Sequence, residues 1–203
     1  EPLANLDYKL REELRTEIPR IFEQAGSIFV YATTEPEEAL LLGGNTATLW
    51  EGQITQFGPT PSVDRRPATV VTARVFSDPP MNFMNCVKLG EALHFGSIVT
   101  TALGGEFAAL EDGAYTAGFR ANHLAIHPHT PQAIAFNCSL NASEITGSET
   151  FLHLAYGELA WVGLAQGVHD MAARDQLEVW LDPMHLYLFD SAGCLVAAGS
   201  GVA

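Results

Sequence analysis

The chain has 203 residues and a formal charge of −14 at pH 7, enough length for one large domain or two small ones around a packed core. Residues 1–82 carry 12 acids and 7 bases, residues 83–203 carry 12 acids and 3 bases, and a field of that sign argues against nucleic acid or an anionic membrane surface as a partner of the second half. No apolar run approaches the ~20 residues that a membrane-spanning helix needs. Glu1 stands where a start methionine would, and no charged-then-apolar leader follows it, so the expectation is a piece of a longer protein. Cys86, Cys138 and Cys194 are far apart, odd in number and without CxxC spacing, and are expected to be reduced thiols in a cytosolic protein rather than metal ligands.

From Asp7 to Ala25 the apolar residues Leu10, Leu14, Ile18, Ile21 and Ala25 recur at spacings of three and four, predicting a helix with one apolar stripe. Asp7 suits the N-cap and Gly26 the C-terminal stop, while Pro19 is expected to kink or divide the helix. Ser27–Ala32 predicts a short buried strand. Thr34 and Glu37 have capping-box spacing for a helix that stops at Gly43-Gly44. Thr46–Trp50 and Gln53–Phe57 flank a Glu51-Gly52 turn and predict a hairpin. Thr60–Arg66 and Ala68–Phe76 predict helices, with Arg65-Arg66 as a solvated helix end, and Ser77-Asp-Pro-Pro80 marks a boundary.

Beyond Pro80 the rhythm changes. Met81–Leu89, Ser97–Leu103, Thr116–Arg120, Ala133–Ile145, Thr150–Leu154, Trp161–Leu164, Leu177–Leu181 and Leu186–Phe189 are short runs bounded by turn residues such as Glu111-Asp-Gly113 and Ser191-Ala-Gly193. Many short strands at near-regular spacing predict a barrel or sandwich. Trp161 and Phe151 suit its core or a dimer interface. His123, His127 and His129 cluster in sequence, but few acids lie near them and no metal site is expected.

Several strings resemble one family. Glu1-Pro-Leu-Ala-Asn5-Leu-Asp7-Tyr-Lys-Leu-Arg11 resembles the segment from the end of the Walker B strand through the D-loop of ATP-binding-cassette (ABC) ATPases, in the branch that includes maltose and glycerol-phosphate importers. Phe29-Val-Tyr-Ala-Thr-Thr34-Glu-Pro-Glu-Glu-Ala39 is similar to the family's switch region, with Thr34 at the position of the usual histidine. Leu49–Pro61 resembles the hairpin with its Gln-x-Gly segment. Pro67–Phe83, with Ser77-Asp-Pro-Pro-Met-Asn82, resembles the exit from the ATPase domain. Glu111–Leu124 and Glu144–Leu154 resemble the accessory regulatory barrel, in which Gly118, Arg120, His123 and Glu149 match, although Ala121-Asn122 replaces the usual Pro-Glu. Met184–Gly193 matches its closing strands.

The resemblance implies an α/β portion, the end of an ABC ATPase domain, over residues 1–80, followed by an all-β, OB-like barrel of the TOBE or MOP kind over 81–203. It implies a parent that hydrolyses ATP with Mg to drive import of a sugar, polyol or polyol phosphate. In the family the equivalent of Glu1 polarises the attacking water, and the equivalents of Asn5 and Asp7 face a partner subunit across the nucleotide. The histidine that Thr34 replaces bonds the γ-phosphate. A threonine is shorter and carries no positive charge near neutral pH, which implies either slow hydrolysis or pairing with a second, different ATPase subunit.

The Walker A, Q-loop and signature motifs are absent from the chain: neither Gly43-Gly44 nor Gly104-Gly105 is followed by the Lys and Ser or Thr of a phosphate loop. No ATP, Mg or other cofactor is therefore expected on this piece alone. The implied partners are a homodimer or heterodimer of ATPase subunits, integral membrane permease subunits and a regulatory protein at the barrel, at the inner face of a bacterial plasma membrane. The alternative is a stand-alone barrel that binds a small molecule or oxyanion, for which Arg120 and Lys88 are the available cations.

Overall fold

A computed structural model of the chain describes residues 3, 6–100, 104–171, 173 and 175–202, leaving out the side chains of Tyr8 and Glu12. The first elements are α1 (Tyr8–Ala25), α2 (Pro36–Leu42), the hairpin strands β1 (Asn45–Trp50) and β2 (Gln53–Pro59), α3 (Thr60–Arg65) and α4 (Val70–Val75). α1 is capped as its sequence predicts: the Asp7 carboxylate accepts from the Leu10 amide at 3.0 Å, and Gly26 closes the other end at φ 60°. Pro19 lies inside the helix without dividing it. The hairpin turns at Glu51 (φ 48°) and Gly52 (φ 77°), the paired positive φ values that match the twist of two antiparallel strands.

Two local expectations are corrected. Ser27–Ala32 is not a buried strand. Ile28 is 96% and Val30 87% exposed, because a strand needs a neighbour to hydrogen-bond and none is present among the described residues. Instead, Phe29 stacks on Phe22 of α1 with ring centroids 3.9 Å apart. The Thr34–Glu37 capping box does not form either. Glu35 is the N-cap of α2, Pro36 takes the first helical position, and the hydroxyl that serves the turn is that of Thr33, which accepts from the Glu35 amide at 3.0 Å.

The remaining strands are β3 (Asn82–Leu89), β4 (Ala92–Phe95), β5 (Ile98–Thr100), β6 (Gly113–Phe119), β7 (Leu124–Ala125), β8 (Ile134–Ile145), β9 (Glu149–Tyr156), β10 (Leu159–Gln166), β11 (Gln176–Leu181), β12 (Tyr187–Phe189) and β13 (Leu195–Ala198). They form two antiparallel sheets, in the orders β13-β12-β6-β3-β4-β5 and β10-β9-β8-β11-β7. In the second, the end strands β7 and β10 lie against each other, so five strands close into a nearly complete, OB-like barrel. The expected strand over Ser97–Leu103 is described only as Ile98–Thr100. β4, β7 and β13 were not predicted as strands.

One core serves both sheets. Buried Trp161 of β10 packs edge-on against Phe119 (5.0 Å) and Phe136 (5.4 Å) and stacks on Tyr156 (4.7 Å), contacts worth about 0.5–1.5 kcal/mol each beyond area burial. Its Nε1 donates to the Phe83 carbonyl across the sheets at 3.2 Å. Beside it the buried Asn82 side chain acts as a piece of strand: its Nδ2 donates to the Val162 carbonyl and its Oδ1 accepts from the Val162 amide, both at 2.8 Å. The Met-Asn string thus has a mechanical meaning, a side-chain amide that continues one sheet's ladder into the other.

Gly118 has a packing reason. A Cβ there would meet Met81 Sδ at 2.9 Å and the Phe83 and Phe189 rings at 3.1 Å. Gly118→Ala is expected to cost about 1–3 kcal/mol and lower Tm by roughly 2–12 °C. The control Gly113→Ala, where the nearest atom is 3.9 Å away, is expected to stay within about 0.5 kcal/mol in the same urea and thermal melts.

Candidate functional site

The residues that carry the chemical expectations lie at the start of α1 and before α2. Glu1 and Asn5 are outside the described residues. Asp7 is described and caps α1. Thr34 is an exposed residue one position before the N-cap of α2.

What fixes the segment around Thr34 is a carboxylate that the sequence reading did not single out. Glu38 of α2 is only 4% exposed. Its Oε2 accepts from the Thr33 hydroxyl at 2.6 Å and the Tyr31 hydroxyl at 2.9 Å, and its Oε1 accepts from Arg15 of α1 at 3.1 Å. The same Arg15 guanidinium reaches Glu35 Oε2 at 2.7 Å, and Arg11, one turn earlier, lies 3.5 Å from Glu35 Oε1. Burial pushes the Glu38 carboxyl up, but donation from Thr33, Tyr31 and Arg15 outweighs it and holds the group below the usual carboxylate range. Burial, then the bond to Glu38, raise the Tyr31 phenol to about 12, so it stays a donor. The signal available in sequence was the pair Arg11 and Arg15, four apart on one helix, facing Glu35 and Glu38, three apart at the next.

Further along, Gln56 of the Gln-x-Gly segment brackets Pro67, donating to the Arg66 carbonyl at 3.1 Å and accepting from the Ala68 amide at 2.6 Å. A chain of hydroxyls runs from Thr48 to Thr55 (2.8 Å) to Thr72 (3.0 Å) and ties the hairpin to α4. The helices then grip the β region. Arg120, just after β6, donates to the Ser77 hydroxyl at 2.8 Å and to the carbonyl and carboxylate of Asp64 at 2.6 and 2.8 Å. Arg65 and Arg66 are exposed at the end of α3, as expected, but Arg66 is also engaged. It pairs with both oxygens of Glu106 at 2.8 and 3.0 Å, and Glu106 also accepts from the Ala198 amide. Main-chain bonds from Val70 to Gly193 and from Leu195 to Ala68, both 2.9 Å, add a strand-like seam.

The two cations considered for an oxyanion in the barrel are therefore engaged. Arg120 is held as above, within a cleft of about 320 Å³ that it shares with Glu37, Asp64 and Asp78. Lys88 donates to the Gly90 carbonyl at 2.8 Å with Asp112 at 3.5 Å. Burial pushes the Cys86 and Cys138 thiols up to about 12 and about 11, so neither supplies a thiolate near neutral pH. Glu149 opens β9, opposite Gln166, and its carbonyl accepts from the Thr146 amide at 2.9 Å.

His123 lies within a single 3-10 turn over Ala121–His123. Its ring stacks on His185 with centroids 4.1 Å apart, and both Nδ1 atoms are buried without a hydrogen-bond partner. Burial, His185 and Arg120 lower its pKa to about 4. A histidine depressed from about 6.5 contributes stability that is fully present above pH ~6.5 and is lost as pH falls toward 4, at most about 3 kcal/mol. Chemical denaturation between pH 7 and 4 should show that loss in the wild type. In His123→Phe, which keeps the stack, the slope should flatten; an unchanged slope would contradict the assignment.

No protein-family model matches the chain. Among curated proteins it is 30% identical over 195 residues to the sulfoquinovosyl glycerol transport ATP-binding protein of Agrobacterium fabrum, covering 94% of this chain and 54% of that one. It is 31% identical over 194 residues to the sn-glycerol-3-phosphate import ATP-binding protein of Chromobacterium violaceum, covering 94% and 52%. With the trehalose/maltose import ATP-binding protein of Thermococcus litoralis the identity is 27% over 200 residues, covering 94% and 54%. The chain spans about half the length of the curated relatives it matches. The match is to the C-terminal part of ATP-binding subunits of sugar and glycerol-phosphate importers of the ABC type.

Proposed function

We propose that this chain is the part of an import ATPase that supplies the water-polarising carboxylate, the D-loop and the switch to a nucleotide pocket, together with the barrel that pairs two such subunits. Residues 1–80 are the end of the ATPase domain and residues 81–203 the regulatory and dimerisation barrel. The whole protein hydrolyses ATP with Mg to drive import of a sugar, polyol or polyol phosphate. It works as a homodimer or with a second ATPase subunit, held by permease subunits at the inner face of the membrane. No helix among the described residues is long and apolar enough to cross a membrane.

The observation that carries this reading is the tie between α1 and the segment before α2. Hydrolysis of a phosphoanhydride is largely a matter of placing charge and water, so the carboxylate, the loop behind it and the phosphate-facing switch have to hold fixed relative positions. Arg15, Glu35 and Glu38 supply such a link between the helix that Asp7 caps and the turn that bears Thr34. In this arrangement Glu1 polarises the attacking water. The Thr34 hydroxyl, where the family has histidine, donates a hydrogen bond toward the γ-phosphate but carries no charge. Asn5 and Asp7 face the opposing subunit. The exposed apolar run Ile28-Phe29-Val30 fits a strand of the ATPase sheet whose neighbours belong to the rest of the subunit. Gly118, Arg120, His123 and Glu149 shape the barrel and its attachment rather than the chemistry.

The test is steady-state hydrolysis by the full-length protein. Glu1→Gln should lower turnover by ~10²–10⁴-fold while Mg-ATP binding persists, and undiminished turnover would reject the role of Glu1. Thr34→His should raise turnover, by ~10-fold or more if the missing imidazole limits the reaction. No change would reject that account of the substitution.

A further inference from the structure

Thr34 has a short side chain, so it cannot make up for a displaced backbone as a longer, jointed side chain can. Its neighbours on both sides are pinned. Thr33 gives its hydroxyl proton to Glu38 and accepts from the Glu35 amide, and the Glu35 carboxylate is held by Arg15 at 2.7 Å with Arg11 at 3.5 Å. Glu38, on the first turns of α2, is held by the same Arg15, whose side chain is 14% exposed. One guanidinium therefore touches both carboxylates that follow Thr34, and it projects from the second turn of the helix that starts at Asp7. Two hydrogen bonds from one planar group, both made by its Nη2, to two different carboxylates fix direction as well as distance.

We propose that Arg15, acting with Glu35 and Glu38, is a positioning residue for position 34, so that any movement of the helix behind Asp7 is carried directly to the switch. This rests on the reading of Thr34 as the switch residue and adds to it the side chains that hold it. Arg15 touches neither nucleotide nor water in this account. Its effect passes through the backbone of residues 33–35.

The experiment uses the full-length protein and measures kcat and KM for Mg-ATP for Arg15→Gln, Glu38→Gln and Glu35→Gln. Each is made with Thr34 intact and again beside Thr34→Ala, with Glu1→Gln as reference. With Thr34 present, each variant should lower kcat by ~10–10²-fold at unchanged KM, the scale expected when a reacting group is misplaced by about 1 Å. Beside Thr34→Ala the same changes should lower kcat no further, because the residue they position has gone. An equal fold-loss in both backgrounds, or no loss in either, would overturn the proposal. Arg15→Gln and Glu38→Gln leave a buried partner unpaired and can unfold the protein. Glu35, at 43% side-chain exposure, keeps the test decisive, with thermal melts confirming that this variant is folded. If Glu1→Gln keeps full turnover, the catalytic reading of the pocket fails. If Glu1→Gln is inactive while the Arg15 and Thr34 effects simply multiply, only the positioning role fails.

Discussion

Burying a carboxylate obliges everything around it. Glu38 has almost no contact with water, and an ion taken out of water loses several kcal/mol of hydration that only well-placed partners restore. Three partners come from two places: Tyr31 and Thr33 on the segment leading into α2, and Arg15 on α1. The requirement to satisfy this one group accounts for why the extended segment after α1 turns back across that helix, with Phe29 stacked on Phe22 as the apolar side of the same contact. Such a network is costly when half made and rigid when complete.

The second constraint is at the seam of the β region. Two separate sheets have to share a core, and their edges carry backbone groups that need partners. Asn82 meets both needs at Val162, and Trp161 adds a third bond to Phe83 while filling the space between Phe119, Phe136 and Tyr156. α3 and α4 are fastened to this region by Arg120 and Arg66 and by the main-chain seam at Val70 and Leu195. From α4 the contacts continue, through Thr72, Thr55 and Thr48, to the hairpin.

Much of this could be read in the amino-acid order wherever the deciding physics is local. The Asp7 cap, the Gly26 stop and the Glu51-Gly52 turn follow from the backbone preferences of single residues, and β3 and β9 from short runs bounded by turn residues. The failures share one cause, which is dependence on distant neighbours. Ser27–Ala32 has strand composition but no strand beside it among the described residues. β7 and β13 are two and four residues long, and a partner strand defines them rather than a pattern of their own. Arg15, Glu35 and Glu38 look like ordinary charged helix faces until folding brings the helices together, and Glu106, the partner of the exposed Arg66, lies 40 residues away in sequence. The strings of family resemblance include Gln56, Asn82 and Gly118, whose mechanics became visible only in their contacts.

The central claim is that the helix behind Asp7 and the turn bearing Thr34 act as one body at a nucleotide pocket. Hydrogen exchange of the full-length protein, measured with and without Mg-ATP, tests it most directly. The account predicts that amides from Leu10 to Arg15 and from Thr33 to Ala39 slow together when the nucleotide binds, by similar factors and over the same concentration range. Protection of one segment without the other, or of neither at saturating nucleotide, would contradict it.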